Sequence, residues 1–125
     1  MRTAIRTSDA PDPVGPYSQA IKGNGFLFLS GQIPIDPTTR EVVHGGIREQ
    51  TEQALSNVAR LLEAAGSGLT KVVRCVVYLR SMDDFGAMNE VYARYFTDTP
   101  PARTTVEAGR LPKGSLIEVE VTALE

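Results

Sequence analysis

Arg103 stands in "PPARTTVEAGRLPKGSLIEVEVTALE", residues 100–125, behind a proline pair and ahead of two runs of strand formers. A planar guanidinium meets a carboxylate through two parallel hydrogen bonds, so an arginine presented on stiff backbone suits the capture of a small acid. Pro101 supplies stiffness by fixing φ. Glu118, on the acidic side of the final run, is a group able to orient a water molecule or take its proton. A hairpin closed through "GRLPKG" would bring Arg103 and Glu118 to one rim. They would meet there as working partners or as a plain cross-strand ion pair contributing roughly 0.2–1 kcal/mol. Spacing alone leaves both readings open.

Other chemistry is narrowly bounded. The 125 residues hold one cysteine, Cys75, and one histidine, His44. These counts exclude an intramolecular disulfide and a conventional zinc site, and they leave a Ser/His or Cys/His nucleophile with a single candidate base. His44, in "VVHGGI", reads as a solvated loop residue. Cys75, inside "VVRCVVYL", reads as a small apolar side chain. No metal and no cofactor are expected. A net charge of -2 argues against nucleic acid or an anionic membrane as partner. The apolar runs are too short to cross a bilayer and no leader opens the chain, so a cytoplasmic protein is the expectation.

The elements that must position these groups follow from periodicity. Hydrophobic content of 42% and charged content of 22% are those of an ordinary globular chain, and the length suits one domain over residues 1–125. "RTAIR" reads as a short edge strand and "TSDAPDPVGPYSQ" as a structured loop. Gly23-Asn24-Gly25 between apolar runs predicts a hairpin, because these residues tolerate positive φ. Residues 31–45 read as a long connection.

Ile47, Thr51, Ala54, Leu55, Val58, Leu61, Leu62 and Ala65 recur at helical spacing, with Arg48, Glu49, Glu52, Gln53, Asn57, Arg60 and Glu63 mostly on the other side. Gly66 supplies the stop. In the next strand Val73, Cys75, Val77 and Leu79 alternate with Val72, Arg74, Val76, Tyr78 and Arg80. Ser81 and Asp84 resemble a capping box for a second helix, whose Phe85, Met88, Tyr92, Tyr95 and Phe96 read as core packing. In the last strand Ile117, Val119, Val121 and Ala123 alternate with Leu116, Glu118, Glu120 and Thr122. The order β-β-β-α-β-α-β-β predicts an α+β fold with two helices on one sheet face. The other face would carry Val72, Val76, Tyr78 and Leu116, which points to a closed homo-oligomer with pockets at subunit boundaries.

"GPYSQA" (15–20), "SGQIP" (30–34), "QTEQALSNVARLLEAAG" (50–66), "DDFGAMNEVYARYF" (83–96) and "PARTTVEAGRLPKGSLIEVEV" (101–121) together resemble the RidA subgroup of the Rid family, also called YjgF. The resemblance covers nearly the whole chain. It implies a chorismate-mutase-like fold assembled as a homotrimer with three clefts between subunits. It also implies hydrolysis of reactive 2-imino and enamine acids, such as 2-aminoacrylate, to 2-oxo acids and ammonia. Pyridoxal-phosphate dehydratases release such compounds and would be functional partners.

In that family the arginine of the "PAR" motif binds the substrate carboxylate and falls on Arg103. The glutamate associated with the attacking water falls on Glu118, and the tyrosine of "GPY" on Tyr17. The strand-end serine and glycine fall on Ser30 and Gly31, and the second-helix asparagine on Asn89. Two departures stand out. Thr105 replaces a cysteine common two residues after the arginine, and the "TDTPPA" loop is about three residues shorter than usual, with Pro100 where an aromatic often stands. RNA cleavage or translation inhibition, also attributed to the family, and non-catalytic binding of a small carboxylate are the alternative functions.

Overall fold

The computed structural model describes residues 1–125. Strands β1 (Arg2–Ile5), β2 (Ala20–Gly23) and β3 (Phe26–Gln32) precede helix α1 (Ile47–Ala64). Strand β4 (Val72–Leu79), helix α2 (Phe85–Tyr95), and strands β5 (Ala102–Glu107) and β6 (Ile117–Leu124) complete the chain. The strands form one sheet in the order β1-β2-β3-β6-β4-β5. Neighbours are antiparallel except β4 and β5, which run parallel.

Local chemistry explains the joints. Asn24 and Gly25 take φ of 52° and 81°, the pair of left-handed residues that lets a two-residue turn follow the twist of β2 and β3. Helix α1 begins where the Glu49 carboxylate accepts a hydrogen bond from the Gly46 N–H at 2.8 Å, and that bond lowers the pKa of Glu49. The helix ends at Gly66, whose φ of 79° turns the chain away. The Ser67 N–H then closes on the Leu62 carbonyl at 2.8 Å. Thr51, Ala54, Leu55, Val58, Leu61 and Leu62 of α1 and Met88, Val91 and Tyr92 of α2 are buried. They cover the sheet face built from Leu27, Leu29, Cys75, Val77, Val119 and Val121. An α+β fold with both helices on one face is what the periodicity predicted.

The sheet differs from expectation at the point that matters most. The segment "GRLPKG" does not close a β5–β6 hairpin. Strand β6 inserts between β3 and β4, and β5 lies at the far edge, paired with β4 alone. The reason lies in the side chains. Ile117, Val119, Val121 and Ala123 are all at most 1% exposed, so β6 brings the driest face and takes a central place. Strand β5, "ARTTVE", has no continuous apolar face to bury and remains at an edge.

Smaller differences have equally local causes. A register shift between Val72 and Arg74 turns Val72 into the core and leaves Val73 39% exposed, the reverse of simple alternation. Leu116 precedes β6, and its N–H is held by the Gln50 side chain. The apolar side chains exposed on the uncovered face include Phe28 and Val106. Ser81 caps the short 3-10 turn Met82–Asp84 by accepting from the Asp83 N–H, and α2 itself starts one residue later.

Asn57, placed by its spacing on the solvent side of α1, is 1% exposed. Its side-chain amide donates to the carbonyls of Ile33 and Ile35, pinning the long connection after β3 to the helix. Replacing Asn57 by leucine strands both carbonyls, and the expected cost is about 2 kcal/mol in urea unfolding. An exposed change such as Arg60→Ala is expected to stay within about 0.5 kcal/mol.

Candidate active site

Strand β3 loses register between Leu29 and Gln32, and Ser30 and Gly31 occupy the irregular stretch. Such an interruption re-aims the backbone at a sheet face. Here it opens a cavity of about 480 Å³ lined by Tyr17, Ser30, Gly31, Ile33, Glu118 and Glu120, among others. The loop bearing Tyr17 is structured, as expected. Gln19 is buried, donates to the carbonyls of Thr7, Ala10 and Pro11, and accepts from the Thr7 N–H. The Tyr17 hydroxyl accepts a hydrogen bond from the Val14 N–H at 3.2 Å, which leaves its own proton free to point into the cavity. The Ser30 hydroxyl is committed differently. It donates to the Ser18 carbonyl at 2.7 Å and so ties this loop to β3.

Gly31 answers a need for space. A Cβ at this position would lie 2.8 Å from the Glu118 Cδ, so only hydrogen there admits the carboxylate over the β3 backbone. Burial raises the pKa of Glu118, and the neighbouring Glu120 carboxylate raises it further. Glu120 itself accepts a hydrogen bond from the Tyr78 hydroxyl at 3.0 Å.

Arg103 lies elsewhere. On β5 it stands opposite Cys75 of β4, and opposed residues share a sheet face, so its side chain enters the helix-covered side. Its guanidinium carbon sits 4.6 Å from the Tyr92 ring centre and 5.6 Å from that of Phe85, within cation–π range. Thr105, opposite Val77, shares that face. Asn89 lies between Phe85 and Tyr92 on the same side of α2, at spacings of four and three. The buried Thr105 Oγ1, Asn89 Oδ1 and Tyr92 Oη atoms have no hydrogen-bond partner. Burial pushes the Cys75 thiol up, which keeps it protonated and consistent with a packing role.

The candidate residues thus divide into two groups. Tyr17, Ser30, Gly31 and Glu118 gather at one cavity. Arg103, Thr105 and Asn89 gather beneath α2. Glu118 opposes Tyr78 on the uncovered face, and β4 separates its strand from that of Arg103. The expectation that one rim holds both is therefore corrected: within a single copy they face opposite sides of the sheet. Phe85 and Tyr92 were legible as core, but their contact with Arg103 depends on β5 reaching the edge beneath α2. His44 is exposed, and no group of three or more His, Cys, Asp or Glu residues is placed to hold a metal ion.

A carboxyl whose pKa is higher folded than unfolded adds stability below its unfolded pKa and loses that contribution as pH rises through the folded value. Glu118→Gln is accordingly expected to raise the thermal midpoint at neutral pH, by a gain that disappears below the ordinary carboxylate range. Thermal unfolding across pH checks this.

Comparison with known proteins bears on the family and the fold. Residues 7–125 match the family described as Endoribonuclease L-PSP. The RutC family protein PH0854 of Pyrococcus horikoshii is 56% identical over 123 residues, covering 98% of each chain. The 2-iminobutanoate/2-iminopropanoate deaminase of Homo sapiens is 42% identical over 125 residues, covering 100% of this chain and 91% of that one. The crystal structure of E. coli TdcF with bound serine matches with a TM-score of 0.94 at 34% identity, over 98% of both chains. With the sheet, the helices and nearly the full length in common, the chain belongs to the Endoribonuclease L-PSP family, the Rid or YjgF proteins.

Proposed function

We propose that this protein hydrolyses reactive 2-imino acids and their enamine tautomers to 2-oxo acids and ammonia, in clefts shared between subunits of a homotrimer. One observation carries the reading: each group of site residues is chemically half of what the reaction needs. The cavity at Glu118 holds a carboxylate made more basic by burial but is lined by a second carboxylate, Glu120, and by no arginine or lysine. The cluster at Arg103 holds a guanidinium that enters neither of the two ion pairs, Lys22–Glu125 and Arg48–Glu90. Three polar atoms without partners, on Thr105, Asn89 and Tyr92, lie on its own strand and on α2 above it. Facing copies would complete both. The exposed Phe28 and Val106 on the open face, at 50% and 41%, suit such an assembly. A relative named 2-iminobutanoate/2-iminopropanoate deaminase supports the substrate class, and a relative holding serine supports a small amino-acid-like ligand.

The chemistry asks little of the protein. Arg103 grips the substrate carboxylate with two parallel hydrogen bonds and fixes C2. Glu118, from the facing subunit, orients a water and takes its proton as the oxygen bonds to C2. The C=N electrons move to nitrogen, which receives a proton and gives a carbinolamine. Collapse of that intermediate breaks the C–N bond, releases ammonia and forms the C=O of the 2-oxo acid. Tyr17 closes the cavity and offers its free O–H. Gly31 makes room for the carboxylate, Ser30 holds the wall, and Thr105 and Asn89 offer polar atoms to the bound acid. Dehydratases that use pyridoxal phosphate are the class of enzyme that releases such imines.

The test supplies an imine from a dehydratase and its amino acid and follows ammonia. Wild type is expected to exceed the blank, and Arg103→Ala to fall about a hundredfold, the scale of a lost bidentate charge-assisted contact. Arg103→Ala and Glu118→Gln subunits, each left with only residual activity alone, are expected to regain about a quarter of the wild-type rate when co-assembled at random, because the cleft is shared. No rescue would place both residues in one subunit's site. A wild-type rate no faster than the blank would leave a binding module, and RNA cleavage lost in Arg103→Ala would favour the ribonuclease reading. The kcat/KM profile is expected to lose activity on the acid side above the ordinary carboxylate range, a limb absent in Glu118→Gln.

A further inference from the structure

Tyr92 belongs to the core by every criterion of packing. It is 7% exposed, and its ring centre lies 4.7 Å from that of Phe96, the two planes tilted by 42°. Two features do not fit a residue that only packs. The first is the Arg103 guanidinium at 4.6 Å from its ring centre, with Phe85, seven residues earlier on the same side of α2, at 5.6 Å. A cation over ring faces is attracted by their negative quadrupole, most strongly where water is thin. An arginine so held loses rotamer freedom before its ligand arrives, which lowers the cost of binding.

The second feature is the hydroxyl. Tyr92 Oη is buried and makes no hydrogen bond of ordinary geometry, although buried phenols usually find one; the Cys75 thiol and the Arg103 guanidinium lie close enough to act on its pKa without completing such a bond. Thr105 Oγ1 and Asn89 Oδ1, on elements flanking the same guanidinium, share this condition. The remaining such atom, Thr51 Oγ1, is on α1. Unpartnered polar atoms destabilise a fold, and three of the four lie on β5 and α2, the two elements that hold the guanidinium and its ring contacts, which marks a site that something else completes. Burial also raises the pKa of the phenol, so it stays neutral and able to donate.

We propose that Tyr92 is a further ligand-binding and positioning residue of the Arg103 half-site: its ring face holds the guanidinium, and its hydroxyl donates to the carboxylate that the guanidinium grips. The proposal rests on Arg103 being the carboxylate anchor, and its test separates the two. Pyruvate, the 2-oxo acid of the proposed reaction, serves as probe. Its affinity is measured by calorimetric titration, alongside the thermal midpoint without ligand.

Tyr92→Phe keeps the ring and removes the hydroxyl. It is expected to weaken pyruvate binding about tenfold, the scale of one hydrogen bond to a charged group, while raising the ligand-free midpoint by removing an unpartnered buried group. Opposite signs in binding and stability are what a merely structural tyrosine would not give. Tyr92→Leu removes the ring as well and is expected to weaken binding further and to speed solvent exchange of the Arg103 Nε proton. Should Tyr92→Leu fail to assemble, the phenylalanine variant carries the test. Pyruvate binding by Tyr92→Phe within twofold of wild type overturns the proposal. So does weakened binding accompanied by a lowered midpoint, which would assign the hydroxyl to the fold. If Arg103→Ala binds pyruvate as wild type does, the anchor itself is wrong. If Arg103→Ala fails while Tyr92→Phe does not, only the role of Tyr92 falls.

Discussion

Two helices can cover one face of a six-stranded sheet, and the period of two along each strand then decides which side every residue meets. The rest of the molecule depends on this constraint. Because α1 and α2 lie on one side, Arg103 shares the covered face with Cys75 and Val77 through Thr105 and their register. Glu118 shares the open face with Tyr78. No adjustment of rotamers can bring across the sheet what the alternation has put on opposite sides. Two separate groups are the outcome, and under the proposed reaction association between copies would serve the chemistry as well as cover apolar surface.

Each group is tuned by the side it occupies. On the open face, Glu118 lies against a glycine and beside another carboxylate, so its charged form is disfavoured and its basicity rises. Beneath α2, the guanidinium of Arg103 gains from aromatic ring faces, whose attraction holds a cation without an ion pair to neutralise it. One environment makes a better base, and the other presents a cation without neutralising it. Neither tuning needs a metal-ligand set or a nucleophile–histidine pair, and the proposed imine hydrolysis would need neither, since a C=N bond is already open to attack by water.

The irregularities of the sheet serve the same division. The interruption in β3 turns Ser30 and Gly31 toward the cavity, and the shift in β4 puts Val72 into the core. Asn57 and Gln19 use buried amides to fasten loops, the first to α1 and the second around the residues before Tyr17. These loops contribute walls of the cavity while their backbone groups remain satisfied.

What could be determined from the residues alone was local. The Asn24-Gly25 turn, the helical stripe of α1, its arrest at Gly66 and the dry side of β6 all express preferences within a few residues, and period and φ suffice to read them. The candidate site residues were legible one by one, through their types and the family resemblance. Their grouping was not. Whether β6 pairs with β5 or slips between β3 and β4 depends on how much apolar surface each strand can bury against two helices, a comparison made across the whole sheet. The same competition left β5 at the edge under α2 and so gave Tyr92 and Phe85 their contact with Arg103. Asn57 shows it in miniature: a polar residue reads as solvent-facing until distant carbonyls at Ile33 and Ile35 arrive to be satisfied. Residue type carries chemistry and short-range geometry, but burial is a property of the assembled core, and burial decided which of these groups meet.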